Sequence, residues 1–290
     1  MIVRTCCTIL AFLFLNACAE TIPPMQEELS SKTVPTYDGQ FSPIQTPFYL
    51  EYRPVTMKLA ANLGIHKNVR DKDELFSGEL SGRLRVSPAR DLLLWEFKLD
   101  NAVLGEEKFS SGTAPLMELT ARRDRQGVTK ETEIAPVGMK VNSPEEQRLF
   151  AEIGALIRSQ FRSFSAVLPE SPIQAGSLLL QMDMNSVLKV YESLWGSPRY
   201  SPPKEKIGYA TRGFGFFKGR KVIVAVLEED FICVSTNERR YSFGLHGYAL
   251  LDTETGQILE HKAMTTVKSF YSFHSIELRM LQKVSAEIME

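Results

Sequence analysis

Cysteine, histidine and tryptophan are scarce in this sequence of 290 residues, at four, four and two copies. An excess of one charge sign is missing too, with 34 basic against 35 acidic side chains and a formal net charge of −1. That balance excludes the electrostatic footprint of a general nucleic-acid binder. The sequence has no Gly-x-Ser-x-Gly elbow, no His-Glu-x-x-His, no Walker loop and no Cys-x-x-Cys pair. Gly213-Phe214-Gly215 lacks the third glycine and the following helix of a dinucleotide site, and reads as curved strand. What is present is average: 43% hydrophobic and 24% charged residues, enough to bury a core and too apolar for a disordered chain.

The N-terminus carries one positive charge at Arg4, an apolar run from Thr5 to Leu15, and the small-residue cluster Asn16-Ala17-Cys18-Ala19. These are the three regions of a secretory signal, expected over residues 1–17. The run is shorter than the roughly 20 residues that a spanning helix needs. Leu15-Asn16-Ala17-Cys18 resembles the lipobox of bacterial lipoproteins. The resemblance implies cleavage before Cys18 and acylation of its thiol and new amine with palmitate-type chains. Several chains anchor stably because each buried methylene contributes about 0.8 kcal/mol. Ala19 implies, by the same resemblance, sorting to the periplasmic face of the outer membrane. Ala17-Cys18-Ala19 also fits ordinary small-x-small cleavage before Glu20, which would leave a soluble periplasmic protein. Cys6 and Cys7 leave with the signal, so Cys233 alone remains in the body and no intramolecular disulfide can form. Its apolar surroundings suit a buried small hydrophobe.

Residues 18–47 carry five prolines among polar side chains and read as a lipid anchor and extended tether. A β-rich domain is expected over 48–290. Leu80, Leu84 and Val86 alternate with charged residues, and Leu93, Trp95, Phe97 and Leu99 share one face of the next segment. Leu116–Arg123 and Val128–Ile134 form another expected pair. Ser143-Pro144-Glu145-Glu146 then opens a helix over 144–165, whose Leu149, Phe150, Ile153, Leu156, Ile157 and Phe161 make an apolar stripe. A second strand region returns after a short expected helix over 187–195. Glu228-Glu229-Asp230 reads as a bend between two of its strands. The expected class is mainly β (α+β): a curved antiparallel sheet, or two half-barrel-like meanders over 48–140 and 170–290, with the long helix on the concave side.

Candidate chemistry is thin. His66 falls in a polar loop and His274 beside aromatic residues. If Asp252 pairs with Gln257 across the turn, His246 faces position 263 and His261 faces position 248, making the two imidazoles diagonal neighbours. No third ligand accompanies them, so neither a metal nor another cofactor is expected. No catalytic residue stands out. Arg122 to Arg125 and Arg239-Arg240 read as solvated turns. Aromatic residues crowd the C-terminal meander, and Phe150, Ile153, Ile157, Phe161, Phe216 and Tyr248 are candidate lining of an apolar cavity. The architecture resembles the β-half-barrel envelope lipoproteins of the lipoprotein-localisation carrier type, without a shared motif in the body. That resemblance implies a non-enzymatic envelope lipoprotein that binds a hydrophobic ligand or lipid. The alternatives are a structural or assembly component docking another envelope protein and, third, a hydrolase without a recognisable motif.

Overall fold

Period-two alternation produces twelve strands here, and they form one antiparallel sheet. The computed structural model describes residues 28–29, 33–69, 72–110, 115–164, 167–183, 206–234, 240–271 and 274–289. Six strands precede the long helix: β1 (Val55–Val69), β2 (Lys72–Ala89), β3 (Leu92–Leu104), β4 (Glu107–Ser110), β5 (Met117–Arg123) and β6 (Thr129–Pro136). The helix α1 (Pro144–Phe164) follows. Six more strands complete the chain: β7 (Leu178–Asp183), β8 (Lys206–Phe217), β9 (Arg220–Val234), β10 (Arg240–Asp252), β11 (Ile258–Tyr271) and β12 (His274–Ile288).

The first and last strands lie side by side, paired from Met57↔Ile288 to Val69↔Ile276. From this central pair β2, β3, β5 and β6 lead to one edge, and β11, β10, β9, β8 and β7 lead to the other. β4 extends the pairing of β3. The two expected meanders are therefore halves of one open sheet. Leu59, Ala61, Leu80, Leu84, Val284 and Ala286 lie in register across the joint and share one core, which is why the halves do not separate.

Local chemistry explains the elements that alternation alone does not. Ser143 Oγ accepts from Glu146 N (3.1 Å) while Glu146 Oε2 accepts from Ser143 N (2.9 Å), the reciprocal capping box that starts α1. The β2–β3 ladder slips by one residue at Ser81/Gly82. A Cβ at Gly82 would collide with the Lys98 carbonyl oxygen, so the bulge needs glycine there. β9 runs unbroken through Glu228, Glu229 and Asp230, so the expected bend is absent. Both outer carboxylates find side-chain partners within the sheet, Glu228 at Arg212 (2.9 Å) and Asp230 at His246 (3.1 Å). His66 lies in β1 and pairs with Asp73 on β2 at 2.8 Å, not in a loop. The expected helix over 187–195 lies outside the described residues.

The sheet is curved around α1. Tyr209 on β8 bonds His261 on β11, three strands along the sheet. Flat spacing would put those strands about 14 Å apart, beyond the reach of the two side chains. On the concave face Ile153 and Ile157 of α1 are buried among strand residues, and Leu156 Cδ2 comes within 3.1 Å of where a Cβ of Gly78 would stand. At one end the rim is sealed by backbone bonds: Tyr52 N to Arg125 O (2.9 Å), Arg53 N to Thr255 O (3.0 Å) and Leu168 N to Gln126 O (2.7 Å).

The fold begins before Phe48. Leu29 is completely buried, and Ser42 and Phe48 form bridges to Phe214 and Ile173. Where it is described, the segment expected as tether is packed on the sheet, because it brings apolar side chains that the outer face lacks partners for.

Candidate functional site

Among the described residues the concave face carries the larger apolar cluster, and α1 lies over it. Of the six residues expected to line a cavity, Ile153 and Ile157 are buried there and Phe150 packs half-buried against the same cluster. Phe161 lies in α1, but its side chain is outside what is described. Phe216 and Tyr248 are elsewhere. Phe216 is 76% exposed at the end of β8. Tyr248 is on the convex face, where its hydroxyl donates to Glu260 (2.6 Å) and its ring lies 5.7 Å from Tyr37. The six therefore do not form one site. Cys18 falls outside the described residues.

Polar chemistry enters the concave side at His261, with a partner the sequence did not suggest, and at Arg123, which was expected in a solvated turn and is buried instead. The first is Tyr209–His261, with both side chains buried and the phenol oxygen 2.7 Å from Nε2. Between them β9 and β10 present Ala225 and Ala249, in register with His261, so the phenol can lie across two small residues. Burial pushes the Tyr209 phenol well above its ordinary range and lowers the His261 imidazole to about 4. The phenol and Nε2 share one hydrogen bond, whose direction follows from the imidazole tautomer. Nδ1 has no hydrogen-bond partner among the described residues. The pair is thus a neutral, buried polar point in an aliphatic wall, with one ring nitrogen left over.

The second polar point is Arg123 at the sealed rim. Its guanidinium is buried and stands 5.0 Å over the Trp95 ring, which Tyr52 meets edge-on at 4.9 Å. Desolvation lowers its pKa to about 10, so it stays charged at neutral pH and the aromatic face offsets part of the cost of burial. Cys233 is buried on the same side, and burial raises its thiol pKa, which makes it a packing residue and not a nucleophile.

The expected pairing of His246 with His261 does not occur. β10 and β11 slip by one residue between Leu250 and Leu251, so His246 faces Met264 and His261 faces Ala249. A one-residue slip turns side chains to the other face, which sends His261 inward and leaves His246 outside with Asp230. No group of three or more metal-ligating side chains occurs among the described residues. Two depressions of the described surface, about 330 and 240 Å³, have mixed polar and apolar linings and share Ala60 and Ser285 on the convex face. Lys58, Arg83 and Asp100 border the first, and Lys262, Lys283 and Glu260 the second. No helix among the described residues is long and apolar enough to cross a membrane.

No family model matches the chain, and no curated protein does. Among solved structures it is similar to lipovitellin, in a structure describing lipid–protein interactions, with 9% identity and a TM-score of 0.44. That match covers 82% of this chain, which spans only a quarter (25%) of the lipovitellin chain. A DUF1329 family protein from Desulfovibrio piger matches at 8% identity and a TM-score of 0.21, over 81% of this chain and 84% of that one. Pseudomonas aeruginosa OccK2 (OpdF), in complex with glucuronate, matches at 11% identity and a TM-score of 0.16, over 80% and 64% of the two chains. All three scores fall below those of a shared fold, so the site has to be read from its own residues.

Proposed function

We propose that this protein is a non-enzymatic envelope lipoprotein, acylated at Cys18, that holds a hydrophobic ligand against the concave face of its sheet. One observation carries the ligand reading. A continuous apolar face is covered by a single amphipathic helix that is reached from one edge of the sheet, at β6, and left toward the other, at β7. Such a cover can move away as a unit, because Glu145, Arg148 and Ala151 on its described outer side are exposed and the Arg148–Glu152 pair lies within the helix. Displacing it would expose Ile153, Ile157 and the strand residues beneath to an acyl chain, with Nδ1 of His261 as a polar contact for an acyl oxygen. The lipobox-like Leu15-Asn16-Ala17-Cys18 supports an outer-membrane anchor on the periplasmic side.

Native mass spectrometry of the full chain should find a co-purifying acyl ligand in addition to the acyl groups on Cys18. A short bis-thiol cross-link between Gly78→Cys and Leu156→Cys would pin α1 to β2. It should weaken binding of a fluorescent fatty acid by about tenfold or more, the least that a blocked opening equilibrium gives. Unchanged affinity in the pinned protein would put the ligand somewhere else. Cys18→Ala should abolish metabolic acyl labelling, and persistent labelling would remove the anchor reading.

A second reading has its own support. Tyr49 (70% exposed) and Phe216 (76% exposed) flank the Phe48–Phe214 ring contact at 5.1 Å, leaving large aromatic surface at one rim. Such side chains suit docking to another envelope protein. A ligand-free protein that cross-links to one partner through Phe216 would favour it.

A further inference from the structure

The convex face is occupied by the chain's own N-terminal segment, which is held at three separated places. At the first, Leu29 is fully buried with Met264 and Leu281. Its carbonyl accepts from Arg279 Nη1 at 2.8 Å, and Arg279 is in turn held by Glu277. The neighbouring Glu28 carboxylate joins Lys262 and Lys283. At the second, Tyr37 packs on Tyr248 over Val222, Val224, Leu250 and Leu259. At the third, Ser42 exchanges both backbone bonds with Phe214, at 2.7 and 2.8 Å. Gly213 makes room for that bridge, since a Cβ there would collide with the Ser42 carbonyl oxygen. Burial of an aliphatic side chain, a bidentate use of one carboxylate and a two-bond bridge are more than a passing contact of a solvated linker needs.

We infer that residues 28–29 and 33–42 form a strap that sets the length of the leash between the membrane and the sheet. This rests on the reading of Cys18 as the acylated residue. Glu28 is ten chain steps from Cys18, and a fully extended chain of that length reaches about 35 Å. A tether free up to Phe48 would reach about 100 Å. Docking of the strap therefore keeps the domain beside the membrane in which it is anchored. The hydrophobic ligand is then exchanged with lipid of that same leaflet, or with a protein embedded in it, and is not carried across the compartment.

The test uses the full acylated chain in phosphatidylethanolamine–phosphatidylglycerol vesicles, with the variants Leu29→Asp and Ser42→Pro. Tyr37 lies inside the strap, packed on Tyr248, so chymotrypsin cleavage after it reports docking. Both variants should be cut at least about tenfold faster than the parent chain, because cleavage follows the population of the opened segment. A dye on Phe216→Cys, quenched by an acceptor at the vesicle surface, reads the leash. Quenching should fall when Leu29→Asp, which undoes the hold nearest the membrane, is combined with Ser42→Pro and that label. Equal cleavage of parent and variants overturns the strap. Faster cleavage without loss of quenching overturns its role as a leash. Absence of acyl label on Cys18 overturns instead the anchor reading on which the leash rests, and is seen separately from both.

Discussion

Replacing Trp95 with alanine should lower the unfolding free energy by about 4 kcal/mol, in the range of large aromatic deletions from a packed interior. Trp95 is 0% exposed, near the start of β3. Its loss removes the edge contact with Tyr52 and the aromatic face under Arg123 together. The guanidinium would then be buried over a cavity, and the desolvation that already lowers its pKa would lose part of its compensation. Trp95→Phe keeps a ring in place and should cost about half as much or less. Urea titration followed by circular dichroism measures both. Because β1 and β12 join the halves in one core, the parent chain should unfold in one transition, and the alanine variant should shift the whole of it. Two transitions, with only one displaced, would mean that the N- and C-terminal meanders are independent units.

The N-terminal half of that core was legible because its signals are local. Leu93, Trp95, Phe97 and Leu99 alternate within one strand, and Ser143 with Glu146 announces α1 within four residues. β1 was not legible although it is central, since Ala60, Ala61 and Gly64 mute its alternation and its partners β2 and β12 supply most of the bulk. The strap was hidden for a different reason. Leu29 and Tyr37 are isolated apolar residues in a proline-rich, polar stretch, and their partners Leu281 and Tyr248 lie more than 200 positions away. Composition describes what a segment cannot bury by itself and says nothing of a surface waiting for it.

The candidate site failed or held by the same logic of register. Ile153 and Ile157 follow from helical spacing, which has no bulges to accumulate. In the sheet, each bulge exchanges the two faces. The slip at Thr211/Gly213 in β8 and the one at Leu250/Leu251 in β10 decide which aromatic residues and which histidine look inward. Tyr209 and His261 were brought together by sheet curvature as well as by register, and curvature leaves no mark on the spacing of two residues 52 positions apart.

Acidification should reveal that pair. His261 is fully buried and neutral, with its pKa lowered from 6.5 to about 4. Above pH 6.5 the imidazole is uncharged in the folded and the unfolded chain alike and contributes no pH dependence. Below it the unfolded chain takes up a proton that the folded chain refuses until about pH 4, so stability falls as the pH drops. Across that window of roughly 2.5 pH units the loss reaches about 3 kcal/mol, at 1.36 kcal/mol per unit. The group facing the imidazole is Tyr209, flanked in register by Ala249 and Val284, and none of these carries a charge that could offset the proton. Carboxylates with lowered pKa values, such as Glu277 beside Arg279, lose their contribution as the pH falls through the ordinary carboxylate value of 4.5. The difference between the parent chain and His261→Gln from pH 6.5 to about 4.5 therefore isolates this histidine. Urea midpoints measured there should decline steeply for the parent chain and stay nearly level for His261→Gln, whatever the variant's starting stability. Parallel slopes in the two proteins would mean that His261 takes up its proton in the folded state, and that the concave wall at Tyr209 is open to water.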